Sequence, residues 1–199
     1  MHPLQFFYDQ HATVHSSQVA QSGLWSMYDS IVQGLTEEDL RFCPGPGQNS
    51  IAWLIWHMAR TEDATVNLLV AGRPQVLSGN GWVEKLKLGA QDIGTGMNDE
   101  EVADFSERVD IPALFAYRVA VGQRTLEVVR SLPEERLSEY IGPDDTQRLF
   151  DAGVLGPRAH RLAKFWEGQR KRFILIMPAT GHNFMHLNEA LAVRRRLDV

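Results

Sequence analysis

The run His182-Asn-Phe-Met-His186 places two imidazoles four residues apart. On a helix such side chains lie about 5–6 Å apart on one face, close enough for both rings to bind one ion. Pairs of this kind also arise by chance, and the chain carries its own control, because His11 and His15 have the same spacing. Their surroundings separate them. His182 and His186 continue on one stripe through Glu189 and Val193, with Phe184, Leu187 and Leu191 nearby. His11 and His15 sit among Asp9, Gln10, Thr13, Ser16, Ser17 and Gln18, which reads as a solvated face. The pattern therefore assigns ligation to the later pair and a surface position to the earlier one.

A third imidazole completes the set. His57 is the one ionisable side chain in Ile51-Ala-Trp-Leu-Ile-Trp-His-Met-Ala59. A ring buried in such a segment must satisfy its nitrogens, either on a backbone carbonyl or on a metal. With an inward-facing pair on another helix, a site of His57, His182 and His186 is the economical reading. Three protein ligands leave positions open for water or substrate, as in catalytic rather than structural sites. Neutral imidazoles favour zinc, nickel, copper or iron over magnesium or calcium. An open position on such an ion lowers the pKa of water to about 7 or ionises a thiol, giving a nucleophile at neutral pH.

Two carboxylates are candidates for a supporting role. Glu62 falls on the Ile51-Ile55-Met58-Val66 side of its helix, where a charge needs a partner. It either orients a ligand histidine, acts as general base, or lies at an exposed edge or in a salt bridge with Arg118. Glu189 has the same two options toward His186. The single cysteine, Cys43, stands in a Pro/Gly loop without an adjacent base, so thiol chemistry would need a small-molecule thiol. Gly94-Thr-Gly96 lacks the third glycine and the preceding strand of a phosphate loop and is rejected as one.

These residues need helices to hold them. Leu24, Tyr28, Ile31 and Leu35 recur at helical spacing, so a long first helix is expected from residue 4 to about 34. Thr36 to Asp39 resembles a capping box opening a short turn. Asn49 or Ser50 caps the second long helix, which Gly72 and Pro74 stop. Asn98 caps a short helix through Phe105. Asp110 with Pro112 opens a third long helix that Pro133 ends. Phe173 to Met177 is ambiguous between helix and strand, and a last helix runs from about Pro178 or Ala179 to Arg196. The expectation is an all-α protein, a four-helix bundle with long irregular connections, forming a single domain over residues 1–199.

Composition narrows the partners. A net charge of -5 offers no basic footprint for nucleic acid or an anionic membrane surface. No apolar stretch of 18 residues exists, and the N-terminal residues lack the pattern of a signal peptide. With one cysteine, no internal disulfide is possible, and a cytoplasmic location is expected.

The segment Asn49 to His57, followed by Glu62-Asp63, and the later Gly181-His-Asn-Phe-Met-His-Leu-Asn-Glu189 resemble the DinB-like superfamily. That group includes YfiT-like metal-dependent hydrolases and the mycothiol-dependent maleylpyruvate isomerase. The stretch Gly94 to Ala103 is similar to a subset of it. The resemblance implies an up-down-down-up bundle, a homodimer, and a zinc or nickel ion on His57, His182 and His186. It also implies chemistry on a low-molecular-weight thiol such as mycothiol or bacillithiol. The segment 140–178 is longer than the connection usual in that family. Two functions follow as expectations: a metal-dependent transferase, isomerase or hydrolase acting on a small-molecule substrate, or a non-catalytic stress-response protein binding a metal or small ligand.

Overall fold

The computed structural model describes residues 3–20, 22–89 and 91–197. Among the described residues the chain is helical and has no strand, only an isolated bridge between Tyr140 and Arg170. Helix α1 spans Pro3–Val14, α2 Met27–Val32 and α3 Glu37–Arg41. Helix α4, Ile51–Ala64, continues through a π-helical turn, Thr65–Ala71. Short helix α5 (Trp82–Lys85) precedes α6 (Asp99–Arg108) and the long α7 (Ile111–Ser131). Helices α8 (Pro143–Asp151) and α9 (His160–Trp166) occupy the second long connection. Helix α10 (Lys171–Ile176) runs through a second π turn, Met177–His182, into α11 (Asn183–Arg194).

Caps set most of these boundaries. The Ser50 hydroxyl accepts from the Trp53 amide at 3.0 Å and starts α4, while Gly72 ends its continuation in a left-handed conformation (φ 67°). Thr36 with Asp39 and Asn98 with Glu101 each close a reciprocal capping box. Asp110 accepts from the Ala113 amide and Pro112 occupies the first turn of α7.

Two expectations about helix extent are corrected. The first long helix is broken between Val14 and Met27, with Gly23 in a left-handed conformation (φ 69°) and Ser26 capping α2 anew. The Ser26 hydroxyl also donates to the His15 carbonyl at 2.6 Å, which fastens the break to the end of α1. Conversely, Phe173 to Met177 is helical, so the last helical run begins at Lys171 rather than near Pro178. Pro178 lacks an amide hydrogen, and the wider π turn around it lets the helix pass without a break.

Helix α4 is the centre of the molecule. Every residue from Ile51 to Ala64 is buried, between α7 on one side and α11, α3 and α6 on others. Residues 140–160, expected as an irregular connection, hold helix α8 and lead into α9, and residues 161–176 carry the rest of α9 and α10 without a strand. Leu149, Val154, Leu155, Ala159 and Trp166 form a second core against Val66, Val70 and Val129. This second core grips the loop before α6, where the Ile93 amide donates to the Val154 carbonyl at 3.0 Å.

Candidate metal centre

Helix α4, the second π turn and α11 bring three imidazoles together. His57 lies midway along α4, His182 ends the second π turn, and His186 sits one turn into α11. One nitrogen of each lies within 4.8 Å of the others. His57 Nε2 and His182 Nε2 are 3.2 Å apart. Two nitrogens each about 2.0–2.1 Å from one ion would show this separation at an angle of roughly 100°, between octahedral and tetrahedral values.

The remaining ring nitrogens explain the orientation. His57 Nδ1–H donates to the Ile93 carbonyl at 2.5 Å, and the ring stacks on Trp53 with an interplanar angle of 9°. Ile93 is fixed by Val154 on one side and by the following Gly94 on the other. A Cβ on Gly94 would stand 2.5 Å from the Trp56 ring, and its φ of +78° favours glycine. His186 Nδ1 pairs with Glu189 Oε2 at 2.9 Å, and Asn49 donates to the other Glu189 oxygen at 2.9 Å. Both bonds commit Nδ1 and leave Nε2 as a bare lone pair, the arrangement that raises imidazole basicity toward a metal. His182 Nδ1 has no hydrogen-bond partner among the described residues.

Electrostatics keep two of the rings neutral. Burial lowers the His57 pKa from 6.5 to about 4, with His186 adding to the effect and the Ile93 bond opposing it. Burial, then His57 and His186, lower His182 to about 2. Neutral imidazole is the form that binds a metal. Burial pushes the Glu189 carboxyl up, but the bonds from His186 and Asn49 outweigh it and hold the group below its ordinary value.

The pair assigned to a solvated face lies elsewhere. His11 and His15 are fully buried, a correction to the surface position expected from their polar neighbours. Phe7 and Val14 flank them at helical spacing on the same face and are themselves buried, which is the signal that the local polarity masked. Their Nε2 atoms bond the two oxygens of Glu62, His11 to Oε1 at 3.1 Å and His15 to Oε2 at 2.8 Å. Thr125 donates to Oε1 at 2.6 Å and Asn183 to Oε2 at 2.8 Å. Glu62 is therefore neither exposed nor bridged to Arg118. That guanidinium lies over Tyr28, donates to the Val14 carbonyl at 2.8 Å, and stays within electrostatic reach of the carboxylate.

Glu62 thus ties α1, α4, α7 and α11 together through four donors. Burial pushes its carboxyl up, and the His15 and His11 contacts pull it well below 4.5. Burial lowers His15 to about 3 against the pull of Glu62, so the ring donates as neutral imidazole. Gly122, in the middle of α7, makes room for this ring, since a Cβ there would stand 2.7 Å from His15 Nδ1. His11, His15 and Glu62 also lie within ligating distance of one another, but every bond the carboxylate makes is to a donor.

Residues 22–156 match the family model of the DinB superfamily. The chain belongs to the DinB superfamily. The matched segment includes His57 and Glu62 and ends before His182 and His186. Among solved structures, this DinB chain is similar to one titled "Crystal structure of the conserved protein of locus from Enterococcus faecalis". The TM-score is 0.66 at 18% identity, covering 98% of this chain and 96% of that one, a likeness of fold. No curated protein matches the chain. No helix among the described residues is long and apolar enough to cross a membrane. Cys43 is half-buried near the Arg41 carbonyl and is not among the residues that converge with the three histidines.

Proposed function

We propose that this DinB chain is a metal-dependent enzyme of transferase, isomerase or hydrolase type, holding zinc or nickel on His57, His182 and His186. The observation that carries the proposal is the commitment of Nδ1 on His57 and His186, which leaves their Nε2 lone pairs beside His182. An ion held there supplies Lewis acidity that turns a thiol or water into a nucleophile at neutral pH. Ile93 and Glu189 fix ring orientation, and burial keeps His57 and His182 unprotonated so that their lone pairs stay available. Glu62, whose oxygens accept from four donors and make no bond to the three rings, serves in this reading to join helices rather than as general base. Glu189, engaged by His186 and Asn49, serves as a positioning residue. With no thiol of the chain at the site, thiol chemistry would draw on a small molecule such as mycothiol or bacillithiol.

The lack of a free carboxylate base favours one second reading, a metal or small-ligand binding protein without turnover. The two separate in one assay. Metal-loaded protein is incubated with a low-molecular-weight thiol and an electrophile, or with an ester, and product is followed. Turnover lost in His182→Ala supports the enzyme; a metal that raises melting temperature with no turnover on any of these supports the binding protein.

A further inference from the structure

We propose that Arg60 is a positioning residue for the metal centre, acting through the loop that carries the Ile93 carbonyl to set the tautomer of His57. The proposal rests on the metal-dependent reading only for the use to which that ring is put. Arg60 follows His57 by three residues on α4 and is fully buried. Its Nε and Nη2 both donate to the Gln91 carbonyl, at 3.2 and 2.7 Å. Its Nη1 donates to Asp63 Oδ2 at 3.3 Å and to Tyr117 Oη at 3.2 Å. Two donors of one rigid fork on a single oxygen fix the direction of that carbonyl as well as its distance.

From Gln91 the order passes along the chain in two steps. The Gln91 carbonyl belongs to the peptide unit that leads into Asp92. The half-buried Asp92 side chain accepts from the Gly94 amide at 2.6 Å. That amide shares its peptide plane with the Ile93 carbonyl, which accepts from His57 Nδ1 on its other side. A chain of bonds thus leaves α4 at Arg60 and returns to it at His57, one helical turn away.

Asp63 secures the other end of the same connection. It accepts from the Val76 and Leu77 amides at 2.7 and 3.0 Å, from Asn67 at 2.8 Å and from Tyr117 Oη at 2.6 Å. Among the described residues the only regular element between Gly72 and Asn98 is the four-residue α5, so helical bonding does not set the course of this stretch. The buried Arg60–Asp63 pair holds its start and its end. Replacing such a pair by packed apolar residues is often neutral or stabilising, so the gain from the charges is positional. An apolar side chain at 60 would leave the Gln91 carbonyl without its two donors.

The test reads the ring nitrogens of metal-free, full-length protein by nitrogen-15 NMR at neutral pH, with His57 assigned by its loss in His57→Gln. Zinc affinity is measured on the same preparations by competition with a chromophoric chelator. The natural sequence should show His57 as one tautomer, protonated at Nδ1. Arg60→Met should mix the two tautomers and weaken zinc binding about tenfold, and Arg60→Lys serves if that variant does not fold. Asp92→Ala should do the same, while Asp92→Asn, which keeps an acceptor oxygen, should behave as the natural sequence. Tyr117→Phe removes a bond to Asp63 and leaves both bonds to Gln91, so it should lower the melting temperature with tautomer and affinity unchanged. A His57 tautomer unmoved by the Arg60 variant overturns the proposal, and so does an equal change in Tyr117→Phe, which would make the role merely structural. Because the tautomer is read without metal, a natural sequence that binds no zinc removes the metal-dependent reading and leaves the role of Arg60 standing. Zinc bound with a tautomer indifferent to Arg60 does the reverse.

Discussion

His11 and His15 on α1 share their spacing with His182 and His186, yet the two pairs use their rings in opposite directions. The first pair spends Nε2 on the Glu62 carboxylate at the junction of four helices. In the second cluster the outward nitrogens of His57 and His186 are spent on Ile93 and Glu189, and Nε2 faces inward. Ring spacing is the same; the position of the hydrogen-bond acceptor decides the outcome. Where a carboxylate stands inside the cluster the histidines become donors in a staple. Where the acceptors stand outside it, the lone pairs converge and a cation is the partner that fits them.

The largest effect expected from breaking this contrast is on stability. Glu62→Ala leaves four buried donors without an acceptor and should cost about 3 kcal/mol or more in urea unfolding. The metal content of the folded fraction should be unchanged. A loss below about 1 kcal/mol would show that the staple is not what joins the helices.

Glu189→Ala addresses the other cluster. Removing the acceptor that orients His186 should weaken metal binding about 10- to 100-fold, read by competition with a chromophoric chelator. Unfolding of chelator-treated protein should barely change, because Glu189 is only half-buried on α11. A stability loss as large as that of Glu62→Ala would erase the distinction.

A smaller effect concerns pH. Above pH 6.5 the His15 ring is neutral both folded and unfolded. Below 6.5 the unfolded chain takes up a proton that the folded ring, lowered to about 3, refuses. Stability should therefore fall as pH drops from 6.5 toward 3, and Glu62, held well below 4.5, adds a loss of the same sign below that value. In chelator-treated protein His15→Gln should show a shallower slope between pH 6.5 and 4.5. An unchanged slope would mean that the ring is not buried as neutral imidazole.

Much of this was legible in the residues. The isolation of His57 in an apolar helix, the four-residue spacing before Glu189, and the caps at Thr36, Ser50, Asn98 and Asp110 are local signals written in adjacent positions. His11 and His15 misled because their immediate neighbours are polar, while the residues that bury them, Glu62, Thr125 and Asn183, come from three other helices. Glu62 was recognised as needing a partner, but which one depended on helix packing. The Ile93 carbonyl could not be seen either, since any residue offers a carbonyl and only the fold aims it. Its placement depends on Gly94 against Trp56 and on Val154 from the second core. The break after Val14 lay between two stretches of good helical periodicity, and the π turn at Pro178 hid a continuous helix behind a residue that normally ends one.

The most direct test of the central claim is elemental analysis of protein purified without a metal-affinity column. It should cover the natural sequence, His57→Ala and His182→Ala, and the pair variant His11→Gln/His15→Gln. The account predicts about one zinc or nickel ion per chain, lost in the first two variants and kept by the folded fraction of the third. Absence of stoichiometric transition metal in the natural sequence, or its loss in the His11/His15 variant while His182→Ala retains it, would contradict the assignment.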